Sequence, residues 1–146
     1  MPSSGISFRR TGSARSALRA VPRAVRRWVC AAHLALIAVL SLLPGWIFPA
    51  SASRIPGLDK WVHVAMYGVL GALFRWAAGA KAGPAGRWLP LAGGGYGLLM
   101  EFLQLWFSGG SRTFSWGDAA ANLAGVVLCW MAAGRILAGD EIFPAG

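Results

Sequence analysis

Charged residues are scarce in this chain, and acidic residues are the scarcest. Only 13% of the 146 residues are charged, and 5 residues are Asp or Glu. Soluble domains carry about 25% charged residues, so this deficit argues against a surface that faces water on all sides. Hydrophobic residues make up 56% of the chain, whose length allows one ordinary domain.

Cysteine is scarce, and recognised catalytic motifs are absent from the sequence. The two cysteines, Cys30 and Cys129, lie far apart inside hydrophobic runs. This spacing is typical of neither a metal site nor the disulfide framework of a small secreted protein, so we expect buried, unreactive thiols. The chain has no GxSxG, Walker, HExxH or dinucleotide-binding motif. We therefore expect no cofactor.

The net charge of +9 is unevenly distributed along the chain. Seven of the fourteen basic residues precede Trp28, whereas the first acidic residue is Asp59. A basic arm beside an apolar run is typical of a segment that orients a protein in a membrane or contacts phospholipids. Nucleic acid is the less favoured partner, since no binding module follows the arm. We expect residues 1–27 to form a disordered cytoplasmic arm or to lie on the membrane surface.

Four hydrophobic runs follow the arm, and each is about long enough to span a bilayer. They cover residues 28–48, 60–80, 88–107 and 116–137. Their short connections cannot fold alone, so we predict one all-α, four-transmembrane-helix bundle over residues 28–138, followed by a short tail at 139–146. A cleaved signal peptide ending near Ala52 is the alternative for the first run, which however exceeds the usual apolar core of about 7–15 residues.

The tryptophans indicate the same four runs. Each run contains two of them, separated by 14 to 18 residues: Trp28 and Trp46, Trp61 and Trp76, Trp88 and Trp106, Trp116 and Trp130. At about 1.5 Å per residue these pairs are about 21–27 Å apart. Tryptophan favours the two interfaces of a bilayer whose core is about 30 Å thick. The pairing therefore favours membrane spans over core aromatics.

Lys and Arg predict the orientation. The arm carries seven, and the connection between the second and third runs adds Lys81 and Arg87. The other two connections carry only Arg54, Lys60 and Arg112. Because basic loops stay inside, we predict cytoplasmic termini and outer loops at 48–59 and 108–115.

The polar residues of the spans gather at the predicted outer end. They are Asp59, Lys60, His63, Glu101, Gln104, Arg112, Asp118 and Asn122. Asp59 and His63 are four residues apart, as are Asp118 and Asn122, so each pair shares a helix face. Gly93 and Gly97 share a face with Glu101 and Gln104, and small residues let helices approach closely in lipid. We therefore expect the polar side chains to converge inside the bundle.

Structural roles are the alternative interpretation of several of these residues, and they do not exclude functional ones. Ser115 and Asp118 match a capping box, Asp59 is placed to cap its helix, and His63 is placed as an interfacial residue. Glu101 lies near a helix C-terminus, where the dipole disfavours an anion, and a charge at a membrane helix centre costs about 2.5–3.5 kcal/mol. Glu101 therefore needs a charged partner. The candidates are Arg112, His63 and Lys60, and we favour Arg112. A purely structural Glu101–Arg112 clamp is the alternative to a functional site.

A metal site is a further interpretation of three of these residues. His63, Glu101 and Asp118 offer one imidazole and two hard oxygen ligands. No recognised metal-binding motif accompanies them, so the sequence favours a site without metal.

Three segments carry a resemblance to a known family. They are DKWVHVAMYGVLG, then EFLQ, then SRTFSWGDAAANLAG. Their Asp-Lys-x-x-His, Glu-x-x-Gln and Arg…Asp-x-x-x-Asn patterns, in this order over about residues 55–135, resemble the VanZ-like family of bacterial integral membrane proteins. The resemblance implies a multi-pass protein of the bacterial cytoplasmic membrane, and its motif positions are the eight polar residues above. The founding member is associated with low-level teicoplanin resistance, but the family's biochemical activity is not established.

The sequence leaves three functional hypotheses. The first is a protein that binds an envelope lipid, cell-wall precursor or glycopeptide, with Lys60 and Arg112 meeting phosphate or carboxylate and Gln104 and Asn122 supplying hydrogen bonds. The second is an enzyme acting on a lipid-linked or phosphorylated substrate, with Glu101 or His63 as acid or base. The third is a small oligomeric transporter. We rank binding first.

The predicted topology has a direct test. A reporter enzyme that is active only in the periplasm should be active when fused after Gly110 and inactive when fused at the C-terminus. The reverse pattern would contradict the orientation, and activity of both fusions would contradict an even number of spans.

Overall fold

The computed structural model describes residues 11–47, 56–79, 82–107, 109–110 and 112–138, without the side chains of residues 11–15 and 45. Throughout these residues the regular structure is helical, as predicted. Five α-helices follow one another: α1 (Thr11–Ala20), α2 (Arg23–Leu42), α3 (Leu58–Ala78), α4 (Leu89–Phe107) and α5 (Trp116–Ala138). Short 3-10 turns lie at Gly45–Ile47 and Gly86–Trp88.

Helices α4 and α5 match the third and fourth predicted runs to within one residue, and α3 begins and ends two residues before the second. The helix at the first run, α2, begins at Arg23 and ends at Leu42, whereas the predicted run covers 28–48. Prolines explain both bounds. Pro22 is extended, with ψ 143°, directly before the helix, and Leu43 is extended, with ψ 137°. Pro44 follows Leu43, and the residue before a proline is disfavoured in the α conformation.

The basic arm is more ordered than expected. Residues 11–20 are helical and α2 starts within the arm; residues 1–10 lie outside the described part. The Arg26 guanidinium donates to the Trp76 carbonyl at 3.0 Å, and the Trp76 indole donates to the Leu18 carbonyl at 2.9 Å. Arg19 donates to the Leu137 carbonyl. Composition suggested disorder, but these arginines satisfy carbonyls at helix C-termini that would otherwise lack partners.

Helices α3 and α5 form the central pair, and they run in the same direction. His63 faces Asn122 near their starts, and Gly71 faces Val126 further along. Glycines allow this close contact. A Cβ at Gly71 would overlap the Val126 carbonyl, and one at Gly125 would lie 2.5 Å from the Val64 carbonyl oxygen. Small residues thus allow a close helix approach, as predicted, and Gly125 of α5 does so against α3.

Helices α2 and α4 pack around this pair and complete the core. Gly93 of α4 lies against Val126, and Gly97 lies against Asn122, so α4 runs antiparallel to α5. The Tyr96 hydroxyl donates to the Leu34 carbonyl at 2.7 Å, which ties α4 to α2. The buried hydrophobic core consists of Ile37, Tyr67, Leu70, Met100 and Val126. Of the two cysteines, Cys30 is buried and Cys129 is half-buried.

Two helices, α2 and α5, are long and apolar enough to cross a membrane. Only 17% of the apolar window of α2 and 28% of that of α5 is buried inside the protein. The core helix of a soluble protein would be mostly buried. In α3 and α4 the motif residues, among them His63, Glu101 and Gln104, lower the mean hydropathy. Four spans and cytoplasmic termini therefore stay predictions.

The glycine contact between α3 and α5 predicts the effect of adding one methyl group. Gly71→Ala and Gly125→Ala should each destabilise the protein by about 1–3 kcal/mol, because the methyl group meets backbone that cannot rotate away. Gly95→Ala is the matched control, since a Cβ there meets nothing within 4 Å and helix propensity favours Ala by about 1 kcal/mol. Thermal unfolding in detergent, followed by circular dichroism, measures the difference. Equal midpoints for all three variants would contradict the glycine contact.

Candidate polar site

Three helix ends meet at one end of the bundle. Because α3 and α5 are parallel and α4 is antiparallel to them, the starts of α3 and α5 lie beside the end of α4. His63 lies one turn into α3, Glu101 and Gln104 lie in the last two turns of α4, and Asn122 lies two turns into α5. The structure thus confirms that these residues converge, as the shared faces predicted.

Four polar side chains form the buried part of the site. His63 is 8% exposed, Glu101 1%, Gln104 3% and Asn122 0%. His63 Nδ1 donates to Asn122 Oδ1 at 2.8 Å, since an amide oxygen only accepts. Gly97 provides the room for this amide, because a Cβ at Gly97 would lie 2.8 Å from the Asn122 Cβ. Burial of a polar group is costly unless it is hydrogen-bonded, so these contacts stabilise the cluster.

Glu101 has one oxygen in a hydrogen bond and one without. Its Oε2 accepts the Ser115 backbone N–H at 3.3 Å. Its Oε1 lies 3.8 Å from His63 Nδ1 and has no hydrogen-bond partner among the described residues. The partner we favoured from the sequence was Arg112, whereas the side chain found 3.8 Å from the carboxylate is His63. Arg112, half-buried in the loop, acts on Glu101 electrostatically.

The start of α5 uses half of a capping box. The Asp118 N–H donates to Ser115 Oγ at 3.2 Å, so Ser115 caps the helix. In a full capping box the Asp118 carboxylate would accept the Ser115 N–H, but here Glu101 accepts it. Asp118 is thereby released from the capping role that the sequence suggested. Its carboxylate, 14% exposed, lies 3.4 Å from Lys60 Nζ through Oδ1.

Lys60 and Asp59 form the outer rim of the site. Lys60 Nζ lies 3.1 Å from Asp59 Oδ2 as well as 3.4 Å from Asp118 Oδ1, so one ammonium group is shared by two carboxylates. The Asp59 side chain is 58% exposed and the Lys60 side chain 52%. Asp59 therefore lies outside the buried cluster. Gly57, and not Asp59 as the sequence suggested, holds the capping position at the start of α3.

Two members of the site were not assigned from the sequence. The sequence predicted that the Ser115 N–H would donate to Asp118 in a capping box. In the fold it donates to Glu101. Tyr67 is fully buried, and its hydroxyl has no hydrogen-bond partner within the described part of the chain. Its position four residues after His63 was a usable signal, because residues at this spacing share a helix face.

His63, Glu101 and Asp118 offer ligand atoms that lie within 4.8 Å of one another. The three residues come from three different helices. The sequence suggested these three residues as possible metal ligands but favoured a site without metal. The fold brings their side chains together.

Comparison with known proteins does not identify the chain. No family model, curated protein or solved structure matches it significantly. The resemblance to the VanZ-like family therefore stays a prediction that depends on the three motifs.

Proposed function

We propose that the chain is a VanZ-like, four-span protein of the bacterial cytoplasmic membrane that binds a phosphate-bearing envelope lipid at its outer end. Six tryptophans support the membrane location, because they lie in short 3-10 turns or within about one and a half turns of a helix end and are 59–81% exposed: Trp28, Trp46, Trp61, Trp88, Trp106 and Trp116. Rings exposed to this extent are unfavourable in water and favourable at a bilayer interface. The mostly unburied apolar windows of α2 and α5 support the same location.

One observation carries the binding function. Glu101 is 1% exposed, yet its Oε1 has no hydrogen-bond partner in the described residues. An unused acceptor buried this deeply is costly, and an ionisable residue within a membrane marks a functional site by default. A ligand hydroxyl or amine that donates to Oε1 would remove the cost.

The rim indicates the other half of the ligand. Lys60 and Arg112 carry positive charge at the edge of the site, and each suits an anionic oxygen. A phospholipid headgroup combines a phosphate with a hydroxyl or amine a few bonds away. It therefore matches cations at the rim and an acceptor inside. A lipid-linked cell-wall precursor has the same combination of groups, and a glycopeptide would offer a carboxylate in place of the phosphate.

An enzyme acting on such a lipid is the second candidate. His63 Nδ1 and Glu101 Oε1 are 3.8 Å apart in a buried place, which is the kind of pairing that general acid–base catalysis uses. The two candidates differ in what they require of Glu101. Binding needs a hydrogen-bond acceptor, whereas base catalysis needs a group that takes a proton.

Removing a rim charge tests the lipid. Native mass spectrometry of the purified protein with added phosphatidylglycerol should show weaker binding for Lys60→Gln and Arg112→Gln, each by up to about fivefold because the rim is partly exposed. Phosphatidylcholine is the lipid control. Arg135→Gln removes an exposed charge at the opposite end of α5 and should leave binding unchanged. If all three variants bind alike, the outer rim does not contact the phosphate.

Two substitutions of Glu101 separate binding from catalysis. Glu101→Gln keeps an acceptor oxygen and should retain phosphatidylglycerol binding, whereas Glu101→Ala should lose about tenfold, the effect of about 1.4 kcal/mol. Lipid extracts of cells expressing each variant are compared in parallel by mass spectrometry. A lipid product that is made by the wild type and disappears with Glu101→Gln would favour the enzyme. Unchanged binding for Glu101→Ala would contradict the role of Glu101.

A further inference from the structure

The three side chains with metal-binding atoms come from separate helices and meet at one point. His63 belongs to α3, Glu101 to α4 and Asp118 to α5, and their ligand atoms lie within 4.8 Å of one another. Zinc binds nitrogen and oxygen at about 2.0–2.2 Å in tetrahedral geometry, so two of its ligands are about 3.3–3.6 Å apart. Side-chain adjustments of up to about 1.5 Å would therefore bring the three atoms around one ion.

The unused oxygen of Glu101 is an independent sign of a missing partner. Oε1 is buried, faces His63 at 3.8 Å and has no hydrogen-bond donor in the described part of the chain. The His63 Nδ1–H donates to Asn122 Oδ1, so on metal binding the ring would either give up this proton and hydrogen bond or turn to present Nε2. A cation between Glu101, His63 and Asp118 would use the free oxygen without moving any helix.

The charges lead to the same conclusion. Two carboxylates, Glu101 and Asp118, approach each other at the site, and buried charges need neutralisation. Among the described groups, Lys60 is the cation at Asp118 and His63 the ionisable group nearest Glu101. The Lys60 side chain is 52% exposed and can swing toward water. A divalent ion would balance both carboxylates at once.

We propose that His63, Glu101 and Asp118 bind one divalent first-row transition-metal ion at this end of the bundle. One imidazole with two carboxylates suits Zn²⁺ or Mn²⁺, whereas Mg²⁺ and Ca²⁺ prefer oxygen ligands alone. The lysine ammonium then acts as a competing cation that leaves when the metal binds. This site shares Glu101 Oε1 with the ligand proposed above, but zinc binding is measured without lipid and so can fail or succeed independently of the proposed function.

Isothermal titration of the full chain with Zn²⁺ tests the site, in detergent and after removal of any affinity tag. We expect one ion per chain. His63→Gln, Glu101→Gln and Asp118→Asn should each weaken binding by at least about tenfold. His33→Gln is the matched control, because His33 bonds to the Met66 carbonyl in the α2–α3 contact and should not affect zinc. Mg²⁺ in place of Zn²⁺ should bind more weakly.

Lys60→Gln distinguishes this proposal from the proposed function. Removal of the competing ammonium should tighten zinc binding severalfold, although the same variant should weaken phosphatidylglycerol binding. If zinc binding does not tighten, the effect on phosphatidylglycerol binding can still be measured, and the reverse also holds. Weaker zinc binding in Lys60→Gln would overturn the exchange of cations.

Three results would overturn the metal site itself. They are no zinc binding by the folded wild type, unchanged binding in His63→Gln, and loss of binding in His33→Gln. If circular dichroism shows that a ligand variant does not fold, X-ray absorption of the zinc-loaded wild type tests the site in its place. A nitrogen and oxygen shell with an imidazole supports the site, whereas sulfur would move the ion to Cys30 or Cys129.

Discussion

The direct backbone contact between α3 and α5 is the constraint on which the rest of the structure depends. Gly71 and Gly125 allow the two helices to meet carbonyl against Cα, with no side chain between them. Because the helices are parallel, this contact fixes their starting turns beside each other. His63 and Asn122 then meet as a hydrogen-bonded pair in the interior. Helix packing and site geometry therefore have one physical cause.

The second constraint is an exchange of partners at the start of α5. Glu101 of α4 takes the Ser115 N–H that a capping box would assign to Asp118. The exchange joins α4 to α5 and leaves the Asp118 carboxylate at the rim, near Lys60. A helix cap thereby becomes part of the polar site. It also explains how an anion is held at a helix C-terminus, where the dipole alone disfavours it.

Much of the architecture was predictable from local patterns. Hydrophobic runs marked α3, α4 and α5 to within two residues, and positions four residues apart placed His63 and Asn122 on inward faces. The errors came from interactions that such patterns do not include. Pro44 follows the end of α2 and explains why the helix stops there. The order of the arm depends on Arg26 and Arg19, which donate to carbonyls of α3 and α5 that lie 50 and 118 residues away in the chain.

By itself, the sequence determined the helical class, the gathering of polar residues at one end and the faces on which they lie, because the 3.6-residue period is local. Only the tertiary structure decided which groups pair. It placed His63 Nδ1 3.8 Å from Glu101 Oε1, gave Glu101 the Ser115 N–H, and brought Asp118 within 4.8 Å of both His63 and Glu101. These contacts depend on the rotation of each helix about its axis and on the path of the loop before α5, which no spacing within one helix specifies.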